Sequence, residues 1–153
     1  MTTKRILVTG GAGFIGSHLT DHLLSLGYNV TVIDNLANGN LDNLSEALKN
    51  ENFTFINGDI LDKQLCLDAA KDCDYIFHLA CLGVRHSIHS PFENHRVNAE
   101  GTLNVLQAAR ENNVKHFFYI STSEIYGRKM ANQSWNTFQQ IRAAAPVIFG
   151  YNQ

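Results

Sequence analysis

The sequence predicts an α/β fold in which helices cover both faces of a parallel, doubly wound sheet. Three observations predict it. Short β-branched and aromatic runs alternate with longer helical patterns, several of these runs are apolar throughout, and a glycine-rich turn joins the first run to the first helix. Strands apolar on both sides are expected where helices cover both faces of a sheet. With right-handed crossovers, five such strands take the order 3-2-1-4-5.

The strands are predicted from runs rich in Val, Ile, Phe and Tyr that turn residues bound on both sides. They are Arg5–Thr9, Asn29–Asp34, Asn52–Asn57, Tyr75–Leu79 and Lys115–Ile120.

The helices are predicted from apolar residues at helical spacing. In the first helix these residues recur at intervals of four, four and three: Ile15, Leu19, Leu23 and Leu26. Three more helices are predicted over Leu41–Lys49, Asp62–Lys71 and Pro91–Asn112. The last has the strongest start signal, because Ser90 can cap the helix, Pro91 suits its first position and Glu93 can close a capping box.

The composition excludes several classes of protein. Twelve Lys and Arg against 14 Asp and Glu give a net charge of −2, which predicts no nucleic-acid partner and no anionic membrane surface. No apolar run approaches the ~20 residues of a membrane-spanning helix. Three cysteines without a C-x-x-C spacing are typical of reduced thiols, so we expect a cytoplasmic protein, and no metal site is predicted.

Charge divides the chain into two regions. Residues 1–127 hold all 14 acidic side chains beside nine basic ones, whereas residues 128–153 hold three basic side chains and no acidic one. The second region also lacks the strand–helix alternation. We therefore expect a domain over 1–127 and an atypical tail over 128–153.

The turn after the first strand is predicted to bind a pyrophosphate. The turn allows two readings. Gly10, Gly13 and Gly16 fit the pattern G-x-x-G-x-x-G, and Gly11, Gly13 and Gly16 fit the pattern G-x-G-x-x-G. Glycine there permits a tight turn, a close approach to phosphate and close packing of the helix on the strand. The helix that starts at Phe14 and Ile15 presents free N–H groups and its positive dipole end to the phosphates.

An acidic residue stands where a dinucleotide site needs one. Asp34 ends the second strand, 18 residues after Gly16. Its carboxylate can accept hydrogen bonds from a ribose diol and repels a 2′-phosphate, so the sequence predicts NAD rather than NADP. Strand, turn, helix and acid in this order indicate a Rossmann-like dinucleotide-binding domain.

These motifs resemble the extended short-chain dehydrogenase/reductase family, and within it the NAD-dependent nucleotide-sugar epimerases, dehydratases and decarboxylases. Four later segments match in order: Gly58-Asp59-Ile60, His78-Leu79-Ala80, Asn98-Ala99-Glu100-Gly101-Thr102 and Ser121–Gly127. The resemblance implies an adenine contact from Asp59 and backbone along the cofactor at the end of the fourth strand. The further cofactor-site residues that it implies are Asn35, Ile60, Leu79, Ala80 and Asn98.

The resemblance also implies a chemistry: a sugar hydroxyl is transiently oxidised by NAD, and the keto-sugar then epimerises, dehydrates or decarboxylates. Ser123 and Thr122 match the hydroxyl that holds the sugar, and Glu124 matches the acid/base of dehydratases and UDP-glucuronate decarboxylase. This pattern favours a decarboxylase or a GDP-mannose-type dehydratase, both lyases. Residues 83–88, however, resemble the loop of UDP-glucuronate epimerases, which are isomerases. The choice stays open.

The family's base is a tyrosine with a lysine four residues on, and the 153 residues contain no such pair. Tyr151 lies 28 residues after Ser123, a plausible spacing for that tyrosine. We therefore expect a chain truncated before the substrate domain, which binds NAD without efficient turnover of a nucleotide sugar. The alternative is a non-catalytic dinucleotide-binding or redox-sensing module. The family often pairs through the helix here at Pro91–Asn112, so a homodimer is possible.

Overall fold

A five-stranded parallel sheet forms the centre of residues 3–121, the part of the chain that the computed structural model describes. Its strands are β1 Arg5–Thr9, β2 Asn29–Asp34, β3 Phe53–Asn57, β4 Tyr75–His78 and β5 His116–Tyr119. Their order is β3-β2-β1-β4-β5, and every pairing is parallel. The predicted fold class and strand order are confirmed, and each predicted strand bound is within one residue of the observed one.

Helices connect these strands. They are α1 Phe14–Ser25, the 3₁₀ turns Leu41–Leu44 and Ala47–Lys49, α2 Lys63–Ala69, α3 Val84–His89, α4 Pro91–His95, a π-helical segment Arg96–Gly101 and α5 Thr102–Glu111. Asp62 caps α2, since its carboxylate accepts a hydrogen bond from the N–H of Leu65 at 3.0 Å. Within residues 3–121, no helix is both long and apolar enough to cross a membrane.

Apolar side chains of alternate strand positions point to opposite faces of the sheet, and each face has its own core. On one face Leu7 and Ile76 pack with residues of α2 and α5, including Cys66 and Val105. The core on the other face packs against α1 and the 3₁₀ turns, and its main members are Ile6, Val8, Val30, Val32, Leu23, Leu24, Leu44 and Ala47. Coverage of both faces explains why the central strands are apolar throughout.

The helix predicted over Leu41–Lys49 is wrong: this stretch forms two 3₁₀ turns. Leu44 and Ala47 are buried three residues apart, a spacing that suits three residues per turn. The stretch is also held to the glycine-rich turn, because Asn43 donates a hydrogen bond to the carbonyl of Ala12 at 2.8 Å. The hydrogen bond from Asn43 and the burial of Leu44 and Ala47 therefore stabilise the 3₁₀ turns over the α-helix that the local pattern predicts.

The capping box predicted at Ser90 is also wrong. The Ser90 side chain makes no capping hydrogen bond, and the Glu93 carboxylate lies 2.9 Å from Nε2 of His86 instead. His86 belongs to α3, which the sequence did not predict and which ends immediately before Ser90. The single helix predicted over Pro91–Asn112 is an α-π-α run.

The structure describes nothing beyond Ser121. The proposed division into residues 1–127 and 128–153 therefore remains a prediction.

Candidate cofactor-binding site

A cleft opens at the carboxyl edge of the sheet, where the chain order reverses between β1 and β4. Parallel strands end together at one edge, so the loops that follow four of them meet there. The lining residues are Gly10, Gly13, Ile33, Asp34, Asn35, Ala37, Asn38, Gly39, Gly58, Asp59, Ile60, Leu79, Ala80, Cys81, Leu82 and Val97.

The turn after β1 has a backbone that only glycine suits at Gly10. Gly10 has φ +72°, and a Cβ added there would lie 2.7 Å from the N of Ala80, which follows the neighbouring strand β4. Gly11 faces the Val32 side chain in the core rather than the cleft. Gly10 and Gly13 line the cleft and Gly11 does not. The structure therefore favours the reading G-x-x-G-x-x-G, which begins at Gly10.

The start of α1 offers backbone rather than side chains to this site. The side chains of Phe14 and Ile15 are 77% and 64% exposed, and neither residue lines the cleft. The N–H groups of the first helical turn have no acceptor within the helix and sit at its positive dipole end. Gly16 packs against the Gly10 carbonyl, which brings this helix start close to the turn.

Asp34 is a nearly buried carboxylate on the cleft, only 8% exposed. Its Oδ2 accepts a hydrogen bond from the N–H of Ala12 at 2.9 Å, and its Oδ1 accepts one from the N–H of Leu36 at 2.8 Å. Each carboxylate oxygen can accept more than one hydrogen bond, so Asp34 keeps acceptor capacity towards the cleft. The two backbone bonds hold the carboxylate in one orientation between β1 and β2.

Asn35 and Asp59 link the ends of β2 and β3 beside Asp34. Nδ2 of Asn35 donates to Oδ2 of Asp59 at 2.9 Å, and Oδ1 of Asp59 accepts from the N–H of Leu61 at 2.8 Å. Ile60, the next residue, belongs to the core that includes Leu7 and Ile76 and is 4% exposed. All three of these predicted site residues, Asn35, Asp59 and Ile60, line the cleft.

The opposite wall follows β4. The N–H groups of Leu79 and Ala80 donate to the carbonyl and the hydroxyl of Thr9 at 3.1 and 3.3 Å. Asn98, predicted as a cofactor-site residue, does not line the cleft. Its amide bonds both the N–H and the carbonyl of Leu82, each at 2.8 Å, so it reaches the cleft only through Leu82.

Sequence reasoning missed several lining residues. Gly39, Leu82 and Val97 were not predicted as site residues, and the exposed Cys81 lies on the cleft beside Leu82. Cys81 and Leu82 directly follow the fourth strand, and that position at a carboxyl sheet edge was the signal available in the sequence.

The arrangement fits a dinucleotide: a glycine turn on the cleft leads into a helix start, and a buried carboxylate lies on the same cleft at the switch point of the sheet. Fold and cleft together define a Rossmann-type dinucleotide-binding domain. The sequence model of one such family matches residues 6–144. The chain belongs to the NAD-dependent epimerase/dehydratase family, and the cofactor of that family is the NAD that the sequence predicts.

Individual relatives agree with this assignment. The chain is 38% identical over 135 residues to UDP-glucuronic acid decarboxylase 4 of Arabidopsis thaliana. It is 43% identical over 126 residues to UDP-N-acetyl-alpha-D-glucosaminuronate decarboxylase of Bacillus cytotoxicus. Among solved structures it is similar to DesIV, a dTDP-glucose 4,6-dehydratase of Streptomyces venezuelae with NAD and TYD bound, with 31% identity and a TM-score of 0.80.

The chain spans only part of these relatives. The matches cover 88%, 82% and 95% of the chain but 29%, 38% and 52% of the three proteins in the order given.

The predicted catalytic residues lie outside the described residues: Thr122, Ser123, Glu124 and Tyr151. Within residues 3–121, no group of three His, Cys, Asp or Glu side chains is placed to hold a metal ion.

Proposed function

We propose that residues 1–127 form the NAD-binding domain of an enzyme that transiently oxidises a nucleotide sugar. The observation that carries this proposal is the Asp34 carboxylate, buried and oriented by two backbone N–H groups, in the same cleft as Gly10 and Gly13. Membership of the NAD-dependent epimerase/dehydratase family supports it.

Each part of the cofactor has a partner of suitable chemistry. The N–H groups at the start of α1 would bind the pyrophosphate, since they carry partial positive charge and follow directly on Gly10 and Gly13, which line the cleft. Asp34 would accept hydrogen bonds from the adenosine ribose. Asn35, Asp59 and Ile60 would contact adenine, and the backbone of Leu79 and Ala80 would run along the rest of the cofactor. NAD, when bound, accepts and returns the hydride.

Asp34 would select NAD over NADP. A 2′-phosphate would bring a second negative charge next to a carboxylate that two backbone hydrogen bonds prevent from turning away. Two unit charges ~4 Å apart repel by about 1–4 kcal/mol near a protein surface, which corresponds to about fivefold or more in affinity.

Titration of NAD and NADP into the chain tests this step. We expect NAD to bind at least about fivefold more tightly than NADP, and Asp34→Ala to narrow this difference in affinity by weakening NAD binding. Asp42→Ala is the matched control, because Asp42 lies in the same β2–β3 connection but does not line the cleft. Equal or tighter binding of NADP to the unaltered chain would contradict the proposal.

For the substrate we propose a UDP-uronic acid. Thr122-Ser123-Glu124 resembles the pattern of a decarboxylase or a GDP-mannose-type dehydratase, and residues 83–88 resemble the loop of UDP-glucuronate epimerases, so UDP-glucuronate is the substrate that the two resemblances have in common. Two decarboxylases named for UDP-uronic acids are among the relatives. Ser123 or Thr122 would hold the sugar hydroxyl, Glu124 would act as acid/base, and Tyr151 is the candidate proton acceptor.

Turnover assays with UDP-glucuronate, UDP-glucose and GDP-mannose test the activity. We expect the 153-residue chain to bind NAD but to turn over all three poorly, because it has no tyrosine with a lysine four residues on. Loss of a positioned general base typically lowers a rate by ~10²–10⁴. Robust activity that Tyr151→Phe abolishes would show that Tyr151 serves without that lysine.

A further inference from the structure

Two asparagines hold the segment Leu79–Gly83, which we call the wall segment because it forms one wall of the cleft. Oδ1 of Asn98 accepts from the N–H of Leu82, and its Nδ2 donates to the Leu82 carbonyl, both at 2.8 Å. Nδ2 of Asn94 donates to the same carbonyl at 2.9 Å and to that of Gly83 at 3.2 Å. Both polar backbone groups of Leu82 are thus bound from the helix side.

A buried histidine holds the other end of the wall segment. His78 is 1% exposed, with Nδ1 2.6 Å from Oγ1 of Thr9 and Nε2 2.9 Å from Oγ1 of Thr102. The Thr102 hydroxyl donates its one hydrogen to the Asn98 carbonyl at 2.7 Å, so Nε2 of His78 must donate to Thr102.

The direction of the remaining bonds follows. Burial lowers the pKa of His78 to about 4, so the ring is neutral and its Nδ1 accepts from the Thr9 hydroxyl. The Thr9 oxygen in turn accepts from the N–H of Ala80 at 3.3 Å. One directed set of hydrogen bonds therefore runs from Ala80 to the backbone of Asn98, whose side chain binds Leu82.

Three members of this set are helical and stand four residues apart: Asn94, Asn98 and Thr102. They lie before, within and after the π-helical segment Arg96–Gly101, on the side that faces the wall segment. We call the whole set the wall clamp: Thr9, His78, Asn94, Asn98 and Thr102.

We propose that the wall clamp holds Leu79–Gly83 in the shape that binds NAD, so that Asn98 is a positioning residue rather than a direct ligand of the cofactor. This inference rests on the proposed NAD site. A wall segment that is already ordered in the free protein loses little conformational entropy when NAD binds, so NAD binds more tightly. Loosening the clamp should therefore weaken NAD binding without removing any group that touches NAD.

The variants Asn98→Ala and Asn94→Ala test the role of the wall clamp. Titration measures their affinity for NAD, and hydrogen exchange of the Leu82 amide, recorded without NAD, measures how firmly the wall segment is held. We expect about tenfold weaker NAD binding for Asn98→Ala, about threefold for Asn94→Ala, and exchange at Leu82 about tenfold faster in Asn98→Ala. Asn112→Ala is the matched control: Asn112 makes the same kind of bond, to the carbonyl of Leu67 at 3.1 Å, away from the cleft. Its NAD affinity should stay within about twofold of the unaltered chain.

Thr102 gives a second, conservative pair of variants. Thr102→Val keeps the shape but removes the acceptor of His78, so NAD binding should weaken, whereas Thr102→Ser keeps the hydroxyl and should restore it. The inference is overturned if Asn98→Ala weakens NAD binding while Asn94→Ala and the Leu82 exchange rate stay unchanged, because Asn98 would then be a direct ligand. It is also overturned if the Asn98 and Asn112 variants weaken NAD binding equally. If the unaltered chain binds no NAD, the proposed function itself fails.

Discussion

Replacement of Gly10 by alanine should destabilise the fold in two ways: an alanine is strained in a left-handed backbone, and its Cβ would overlap Ala80. Gly10 and Gly27 both have a left-handed backbone, with φ of +72° and +81°. A Cβ at Gly27 would meet nothing within 4 Å, whereas one at Gly10 would lie 2.7 Å from N and 2.8 Å from Cα of Ala80. Gly27→Ala is thus a matched control that carries the conformational cost alone.

The magnitudes follow from these distances. The left-handed backbone costs an alanine about 1–2 kcal/mol at either position. At Gly10 the added methyl group also overlaps backbone that cannot rotate away, and such overpacking typically costs a further 1–3 kcal/mol or so. We therefore expect the free energy of unfolding to fall by about 1–2 kcal/mol in Gly27→Ala and by about 2–5 kcal/mol in Gly10→Ala.

Chemical denaturation of the two variants and the unaltered chain measures this difference, and NAD titration adds a functional readout. Displacement of Ala80 should weaken NAD binding by more than about tenfold in Gly10→Ala, and Gly27→Ala should leave it unchanged. Equal destabilisation by the two substitutions, or normal NAD binding by Gly10→Ala, would refute the contact between the turn and the wall segment.

Two further predictions concern titratable groups. Burial lowers the pKa of His78 from 6.5 to about 4, so below pH 6.5 unfolding takes up a proton. The free energy of unfolding should then fall by up to about 3 kcal/mol as the pH falls from 6.5 to 4, and His78→Asn should flatten that slope in acid titrations followed by circular dichroism. Burial raises the pKa of the Cys66 and Cys73 thiols to about 11, whereas Cys81 is exposed on the cleft. A thiol reagent at neutral pH should therefore modify one cysteine of the native chain quickly, and NAD should protect it; two or three fast thiols would contradict the described burial.

The predictions that the structure confirms rest on patterns that are local in the sequence. The strand and helix alternation needs only the spacing of apolar residues, and both the glycine turn and Asp34 stand at the ends of strands that this alternation defines. Because parallel strands with right-handed crossovers leave few arrangements, the strand order followed as well. The part of the cleft formed by the loops after the first three strands was therefore predictable from residues 5–60.

Contacts between distant parts of the chain decided the rest. His78 is 69 residues from Thr9, and no periodicity relates the two side chains. Glu93 binds His86 rather than the start of its own helix because α3 brings that imidazole within reach. The Asn98 amide likewise bonds the N–H and the carbonyl of Leu82, 16 residues away in the chain, and no spacing in the sequence indicates that pairing. The sequence by itself determined the five strands, their order and the edge of the sheet where the cofactor cleft lies, since spacing and turn chemistry act over a few residues. Only the tertiary structure decided which polar side chains face the cleft and which hold its wall, because a side chain's hydrogen-bond partner depends on which segments pack beside it.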